Sequence, residues 1–158
     1  MARTNFVARY DFRAPGATPE ERSELFRRSV EQAAYAEQHG IQALMLSEHH
    51  VSHDGYLPSP IPVAAAFAAV TSTIPISVAA LLVNLYEPVR LAEEIAVLDH
   101  LSGGRVNYTL GLGYRREEYD LFGVAWETRG ADIEARIRRM LDAWAKGCLL
   151  YTSDAADE

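Results

Sequence analysis

Cysteine is nearly absent from these 158 residues: the single thiol is Cys148, inside an atypical C-terminal stretch. Over residues 1–147 its absence excludes disulfides, thiolate-bound metal and thiol nucleophiles. Long apolar runs are lacking too, and none reaches the eighteen residues that a membrane-crossing helix requires. The opening Met1-Ala2-Arg3-Thr4-Asn5 runs straight into a strand-like segment without the apolar core of a signal peptide, so a cytoplasmic protein is expected. Positive charge is scarce as well. Lys and Arg number 15 against 22 Asp and Glu, a net charge of −7 that gives no electrostatic reason to bind nucleic acid. Arg136, Arg138 and Arg139 lie among acids on a helical stretch and read as a solvated face.

The remaining composition, 49% hydrophobic and 23% charged, is that of a soluble globular domain. Residues 148–158, Cys-Leu-Leu-Tyr-Thr-Ser-Asp-Ala-Ala-Asp-Glu, stand apart. They resemble the translation of a transposon-type sequencing adapter and follow a helix whose periodicity stops at Trp144 or Ala145; the alternative is a natural acidic tail. Set aside as foreign, the tail takes with it Asp154, Asp157, Glu158 and no base, which moves the net charge from −7 to −4.

Residues 1–147 alternate between two periodicities. Phe6 to Tyr10 is a short β-rich run, and Pro15-Gly16 break the loop that follows. Thr18-Pro19-Glu20-Glu21 opens a helix with a capping box and Pro at the first position. Leu25, Phe26, Val30, Ala33 and Ala34 form its apolar stripe, and Gly40 ends it. Ile41 to Leu46 is a second strand, and Ser59-Pro60 starts an Ala-rich helix covered on most sides. Ile76 to Val83 is apolar at nearly every position, the pattern of a parallel strand covered on both faces. Glu87-Pro88 begins a third helix that Gly103-Gly104 end, and Arg105 to Leu110 is the fourth strand. A polar loop from Tyr114 to Glu127 precedes a last helix over 129–145. Four strands alternating with four helices predict successive βαβ units and a parallel sheet. A closed eight-unit barrel takes about 250 residues, so a barrel reading makes residues 1–147 its first half.

Polar residues collect where the second strand ends, the place at which parallel α/β folds bind ligands. Glu48, His49, His50 and His53 lie there. An imidazole titrating near neutrality can move a proton in turnover, or it can simply cap the strand. The same four residues are also possible zinc or iron ligands, as in a metal-dependent barrel hydrolase. Against that, adjacent His49 and His50 point to opposite faces if the strand continues. Gly111-Leu-Gly113 follows a strand, but Arg116 stands where a dinucleotide fingerprint needs its third glycine. These glycines admit a close ligand or a tight turn. Ala79-Ala80 places small residues inside the third strand, either under a packed helix or against a flat ring. A small α/β binding domain, complete as it stands, is a third reading, and it requires covered or paired outer strands.

Ser47-Glu48-His49-His50, Pro58-Ser59-Pro60 before an Ala-rich helix, and Ala79-Ala80 together resemble the bacterial luciferase-like monooxygenase family. Glu87-Pro88-Val89-Arg90, Ala92-Glu93 and Leu98-Asp99-His100-Leu101-Ser102-Gly103-Gly104-Arg105 continue the resemblance. Gly111-Leu-Gly113, Glu118 and Phe122-Gly123 complete it, so that it covers nearly everything from the second strand to Trp126. Each motif is weak alone; their order and spacing are specific. The resemblance implies a (β/α)₈ TIM barrel of which the first four units are present, and a homodimer at full length. It implies reduced FMN, possible supply of that flavin by a separate reductase, and oxygenation of a small organic substrate, with the deazaflavin F420 and hydride transfer in one branch. His49 matches the histidine that works as acid or base beside the flavin, with Glu48 and His50 in support. Ala79 and Ala80 match the place where the family presses a non-proline cis peptide against the flavin ring, so a cis bond is expected between them. Gly111 and Gly113 are expected near the cofactor. Leu112 departs from the pattern, because some members hold the flavin phosphate with an arginine there; Arg115 or Arg116 could substitute. The family's main phosphate loops belong to the second half of the barrel.

Overall fold

The computed structural model describes residues 4–146; the proposed foreign tail, 148–158, lies outside them. Strand β1 (Val7–Tyr10) leads to helix α1 (Pro19–Gln38), then β2 (Ala43–Ser47) and α2 (Pro60–Val70). Next come β3 (Ile76–Leu82), a 3₁₀ turn at Val83–Leu85, α3 (Pro88–Ser102) and β4 (Val106–Gly111). Two further helices, α4 (Arg116–Phe122) and α5 (Arg129–Ala145), close the described chain. The four strands form one parallel sheet in the order β1-β2-β3-β4. The βαβ alternation read from the sequence is therefore the architecture.

Local chemistry starts the helices where expected. Thr18 accepts from the Glu21 amide at 3.2 Å while the Glu21 carboxylate accepts from the Thr18 amide at 2.8 Å, a complete capping box. Glu87 caps α3 by accepting from the Arg90 amide at 2.7 Å. Each of α1, α2 and α3 carries proline in its first turn, where the missing N–H costs nothing.

One face of the sheet is packed and the other is open. Leu44, Leu46, Ile76, Val78 and Val106 are buried against Ala64, Phe67, Leu91 and Ala92 of α2 and α3. Burying a side chain the size of Phe67 contributes about 1.5–3 kcal/mol. The alternate residues Ser77 and Ala79 of β3 are only half-buried, so β3 is covered on one face rather than on both as its composition predicts. The outer strands β1 and β4 each have a single neighbour in the sheet. Among the described residues neither has the pairing on its free side that the reading of a small complete binding domain required.

Two polar side chains tie the helix layer to the loops below the sheet. Arg105 donates to the carbonyls of Ala68, Thr71, Ile74 and Ser102 and to Thr71 Oγ1, at 2.7–3.1 Å. Its planar fork satisfies carbonyls that the C-terminus of α2 leaves free. Glu37, near the end of α1, accepts from the amides of Ser72, Thr73 and Ile74. These bonds hold its carboxyl down at about 2, below the usual carboxylate range.

Candidate active site

The C-terminal ends of the strands bring together residues distant in sequence. β2 ends at Ser47, and Glu48, His49 and His50 follow it into the loop. The Glu48 carboxylate is fully buried. Oε2 accepts from the Leu82 amide at 2.8 Å, and Oε1 accepts from the Tyr86 hydroxyl at 2.8 Å and lies 2.8 Å from His50 Nε2. Burial, and next the nearby Glu48 charge, push the Tyr86 hydroxyl well above the ordinary phenol range. Glu48 thus ties the end of β2 to the end of β3.

The two histidines diverge. His49 Nδ1 stands 2.9 Å from Glu118 Oε1, and its Nε2 stands 3.2 Å from the Tyr114 hydroxyl. The rings of Tyr56 and Tyr114 meet the imidazole edge-on at 4.8 and 5.4 Å. His50 turns the other way, toward Glu48, with Phe122 packed edge-on at 4.7 Å. Its backbone N–H also donates to Glu118 Oε1 at 2.9 Å. His53 sits exposed in the following turn, apart from this network. Among the described residues no three His, Cys, Asp or Glu side chains converge as a metal-ligand set. The hydrolase reading needed Glu48, His49, His50 and His53 around one ion, and the chain does not place them so.

Strand β3 departs from regular geometry where small residues were noted. Ala79 pairs with Thr109 and Leu81 with Leu110, which leaves Ala80 bulged out of register. Ala80 has φ 65°, a left-handed conformation rare for a side chain bearing a Cβ. The expected cis bond between Ala79 and Ala80 is not formed; no cis peptide occurs among the described residues. The backbone absorbs the irregularity as a one-residue bulge instead, the device that re-aims a strand beside an active site. Gly111 stands behind this bulge, where a Cβ would lie 3.2 Å from the Ala80 Cα. Gly113 has φ 79°, and a Cβ there would crowd the Tyr119 ring at 3.3 Å.

A cavity of about 420 Å³ opens on this bulge, lined by Ser47, Glu48, His49, Ala79, Ala80 and Gly113 among others. That volume lies within the range of small-molecule and cofactor sites. Ser47 Oγ is buried and has no hydrogen-bond partner among the described residues. A wider polar mouth of about 830 Å³ shares His49, Tyr56, Tyr114 and Arg9 and adds Arg13 and Arg115. His50 faces away from both spaces. Arg115 is occupied by the carbonyls of His50 and Val51, and Arg116 by Asp120 and Glu127. Leu112 accepts from the Tyr119 hydroxyl through its carbonyl.

The sequence does not mark Glu118, Tyr114 or Tyr86 as site residues: Glu118 stands within a motif and Tyr114 at the start of a polar loop. Glu118 is fully buried on the short α4, within the stretch expected to be loop. A buried acid on a polar segment was the one available signal, and burial is invisible in sequence.

A parallel β/α sheet with a polar cluster and a cavity at its carboxyl ends has the arrangement at which α/β proteins bind ligands. The profile described as luciferase-like monooxygenase matches residues 6–153. The chain belongs to the luciferase-like monooxygenase family. The uncharacterized protein y4vJ of Sinorhizobium fredii is 39% identical over 100 residues, 63% of this chain and 28% of that protein. The alkanal monooxygenase alpha chain of Photorhabdus luminescens is 28% identical over 102 residues, 65% of this chain and 28% of that one. Among solved structures, the oxygenating constituent of 3,6-diketocamphane monooxygenase from Pseudomonas putida, in complex with FMN, superposes with a TM-score of 0.79 at 22% identity. It matches 89% of this chain and 39% of its own. The coenzyme F420-dependent tetrahydromethanopterin reductase of Methanopyrus kandleri gives a TM-score of 0.53 at 22% identity, over 79% of this chain and 31% of its own. This chain therefore spans 28–39% of the length of these proteins. Its four β/α units correspond to half of a (β/α)₈ barrel.

Proposed function

We propose that the protein is a flavin-dependent monooxygenase that uses reduced FMN and oxygen on a small organic substrate. The observation that carries this reading is the bulge at Ala80, backed by Gly111 and facing a cavity beside His49. Small side chains on bent backbone leave a shallow platform for a planar ring, and the unpartnered Ser47 hydroxyl gives that ring a polar contact. Ala79, Ala80 and Gly113 would hold the ring, with Gly111 keeping the bulge in place from behind. The flavin, when bound, supplies the redox chemistry. His49 holds or moves a proton at Nε2, and the rings of Tyr56 and Tyr114 flank its imidazole edge-on. Glu48 and His50 act in support, by fixing the ends of β2 and β3 against each other.

A second reading, hydride transfer with F420, stays open because Leu112 stands where some relatives hold the flavin phosphate with an arginine, while Arg115 and Arg116 contact other partners. The fold likeness to an F420-dependent reductase is compatible with it. We also read the full-length protein as a homodimer that receives its reduced flavin from a separate reductase. Titrating the full-length protein with FMN and with F420, read by quenching of cofactor fluorescence, separates the two readings. Saturable binding of FMN is expected, and binding of neither would end the proposal.

A further inference from the structure

We infer that Glu118 is a positioning residue that fixes the tautomer of His49 and leaves Nε2 as the proton-accepting nitrogen on the cavity side. The inference deepens the flavin reading and rests on it for the purpose of the proton, but the tautomer itself does not depend on any cofactor.

Which imidazole nitrogen carries the proton is decided by the partner of the other. Here Glu118 Oε1 faces Nδ1 at 2.9 Å. The same oxygen accepts the His50 backbone N–H at 2.9 Å, and the Arg115 guanidinium lies 3.7 Å away. An oxygen that already accepts a backbone N–H and has a guanidinium beside it serves as an acceptor, so the His49 side must supply the hydrogen between them. In the neutral ring Nδ1 therefore carries the proton and Nε2 is bare.

The surroundings make this arrangement rigid. The Glu118 side chain is fully buried and that of His49 is 18% exposed. Glu118 sits on α4, which packs through Tyr119 against Leu82 and Leu85 at the end of β3. Tyr119 is locked in turn, because its hydroxyl donates to the Leu112 carbonyl and accepts from Asn84 Nδ2. Opposite, the Tyr114 hydroxyl stands 3.2 Å from Nε2, placed to donate to it, on a residue that is 76% exposed. Tyr114 thus stands where the proton of a reacting group would stand, on a side chain that a ligand can displace. Imidazole in water prefers its proton on Nε2, so holding it on Nδ1 requires a partner. A carboxylate that orients an imidazole in this way is the arrangement seen in hydrolytic triads.

The test is ¹⁵N NMR of the histidine side chains in the full-length protein without cofactor, with His49 assigned by the loss of its signals in His49→Gln. Expected for the unmodified protein is Nδ1–H, with Nε2 resonating as an unprotonated nitrogen. Glu118→Leu should shift His49 toward Nε2–H, and Glu118→Asp should restore Nδ1–H at least in part. In the loaded enzyme Glu118→Leu should lower kcat on the order of 100-fold, within the usual scale of acid–base assistance, with flavin Kd changed less than threefold. His49 found as Nε2–H in the unmodified protein overturns the inference, whether or not the variants fold. So does Nδ1–H persisting in a folded Glu118→Leu. If Nδ1–H is present but no flavin binds, the positioning role stands and the flavin reading alone fails.

Discussion

Gly111 lies directly behind Ala80, so close that a methyl group on Gly111 would stand 3.2 Å from both the Cα and the Cβ of Ala80. Backbone meets backbone there, and neither side is the end of a flexible side chain that could swing away. Gly111→Ala should therefore push the β3 bulge toward the cavity. Overpacking of this kind costs about 1–3 kcal/mol. Chemical denaturation should show that loss, and FMN affinity should fall with it. An unchanged midpoint together with unchanged affinity would mean that the bulge tolerates displacement.

Ala80 itself holds φ 65°. A left-handed L-residue costs about 1–2 kcal/mol, which glycine avoids at the expense of a more flexible unfolded chain. Ala80→Gly should consequently leave the melting temperature unchanged or raise it slightly. Ala80→Val, β-branched in the same conformation, should lose more than about 2 kcal/mol. Equal melting temperatures for the two variants would contradict a left-handed residue at this position.

Acid should weaken the tie between α1 and the loop after α2. The Glu37 carboxyl is held at about 2 by the amides of Thr73, Ile74 and Ser72, below its ordinary 4.5. A depressed folded-state value contributes stability above the unfolded value, and that contribution is lost as pH falls from about 4.5 toward 2. Glu37→Gln should be less stable than the unmodified protein at pH 6, and the gap should narrow at pH 3. Urea midpoints at the two pH values measure it; a gap that widens on acidification would reverse the sign and refute the assignment.

Arg105 gathers carbonyls from three segments at once. Lysine keeps the charge but not the planar fork. Arg105→Lys should therefore leave several carbonyls short of a partner and cost about 2 kcal/mol. Arg138, which makes an exposed i,i+4 pair with Glu134, is the control: Arg138→Lys should change stability by less than about 0.5 kcal/mol.

Among the described residues, 4–146, the sheet has two free strand edges and one open face. Unpaired edges recruit other strands. Sedimentation velocity should show association that grows with concentration. A monomer with a sharp, concentration-independent melt would show that the open face is protected.

The alternation of strands and helices was legible because proline and capping residues punctuate each helix and apolar periodicity fills the rest. Thr18, Pro60 and Glu87 mark their starts in one dimension. Helix α4 was not legible, because only Glu118 and Tyr119 of its seven residues are buried and the others read as polar loop. At Ala79-Ala80 the sequence carries the need for small side chains but not the backbone solution, since alanine suits a cis bond and a bulge alike. The position of His49 at a strand end was readable from local pattern. Its partner was not, because Glu118 lies 69 residues away and only the tertiary fold brings the two together. Strand alternation does not separate His49 from His50, because β2 ends at Ser47; Glu118 and Glu48 draw the two rings apart, and no metal-ligand set forms among the described residues.

Sheet order here repeats chain order, β1-β2-β3-β4. A chain emerging from the ribosome can lay β2, β3 and β4 each against the strand just finished. Assembly is thus stepwise and local, with one growing front at β4. His49 meets the carboxylate of Glu118 only when that front has reached α4, so the first two units alone hold its imidazole without that partner.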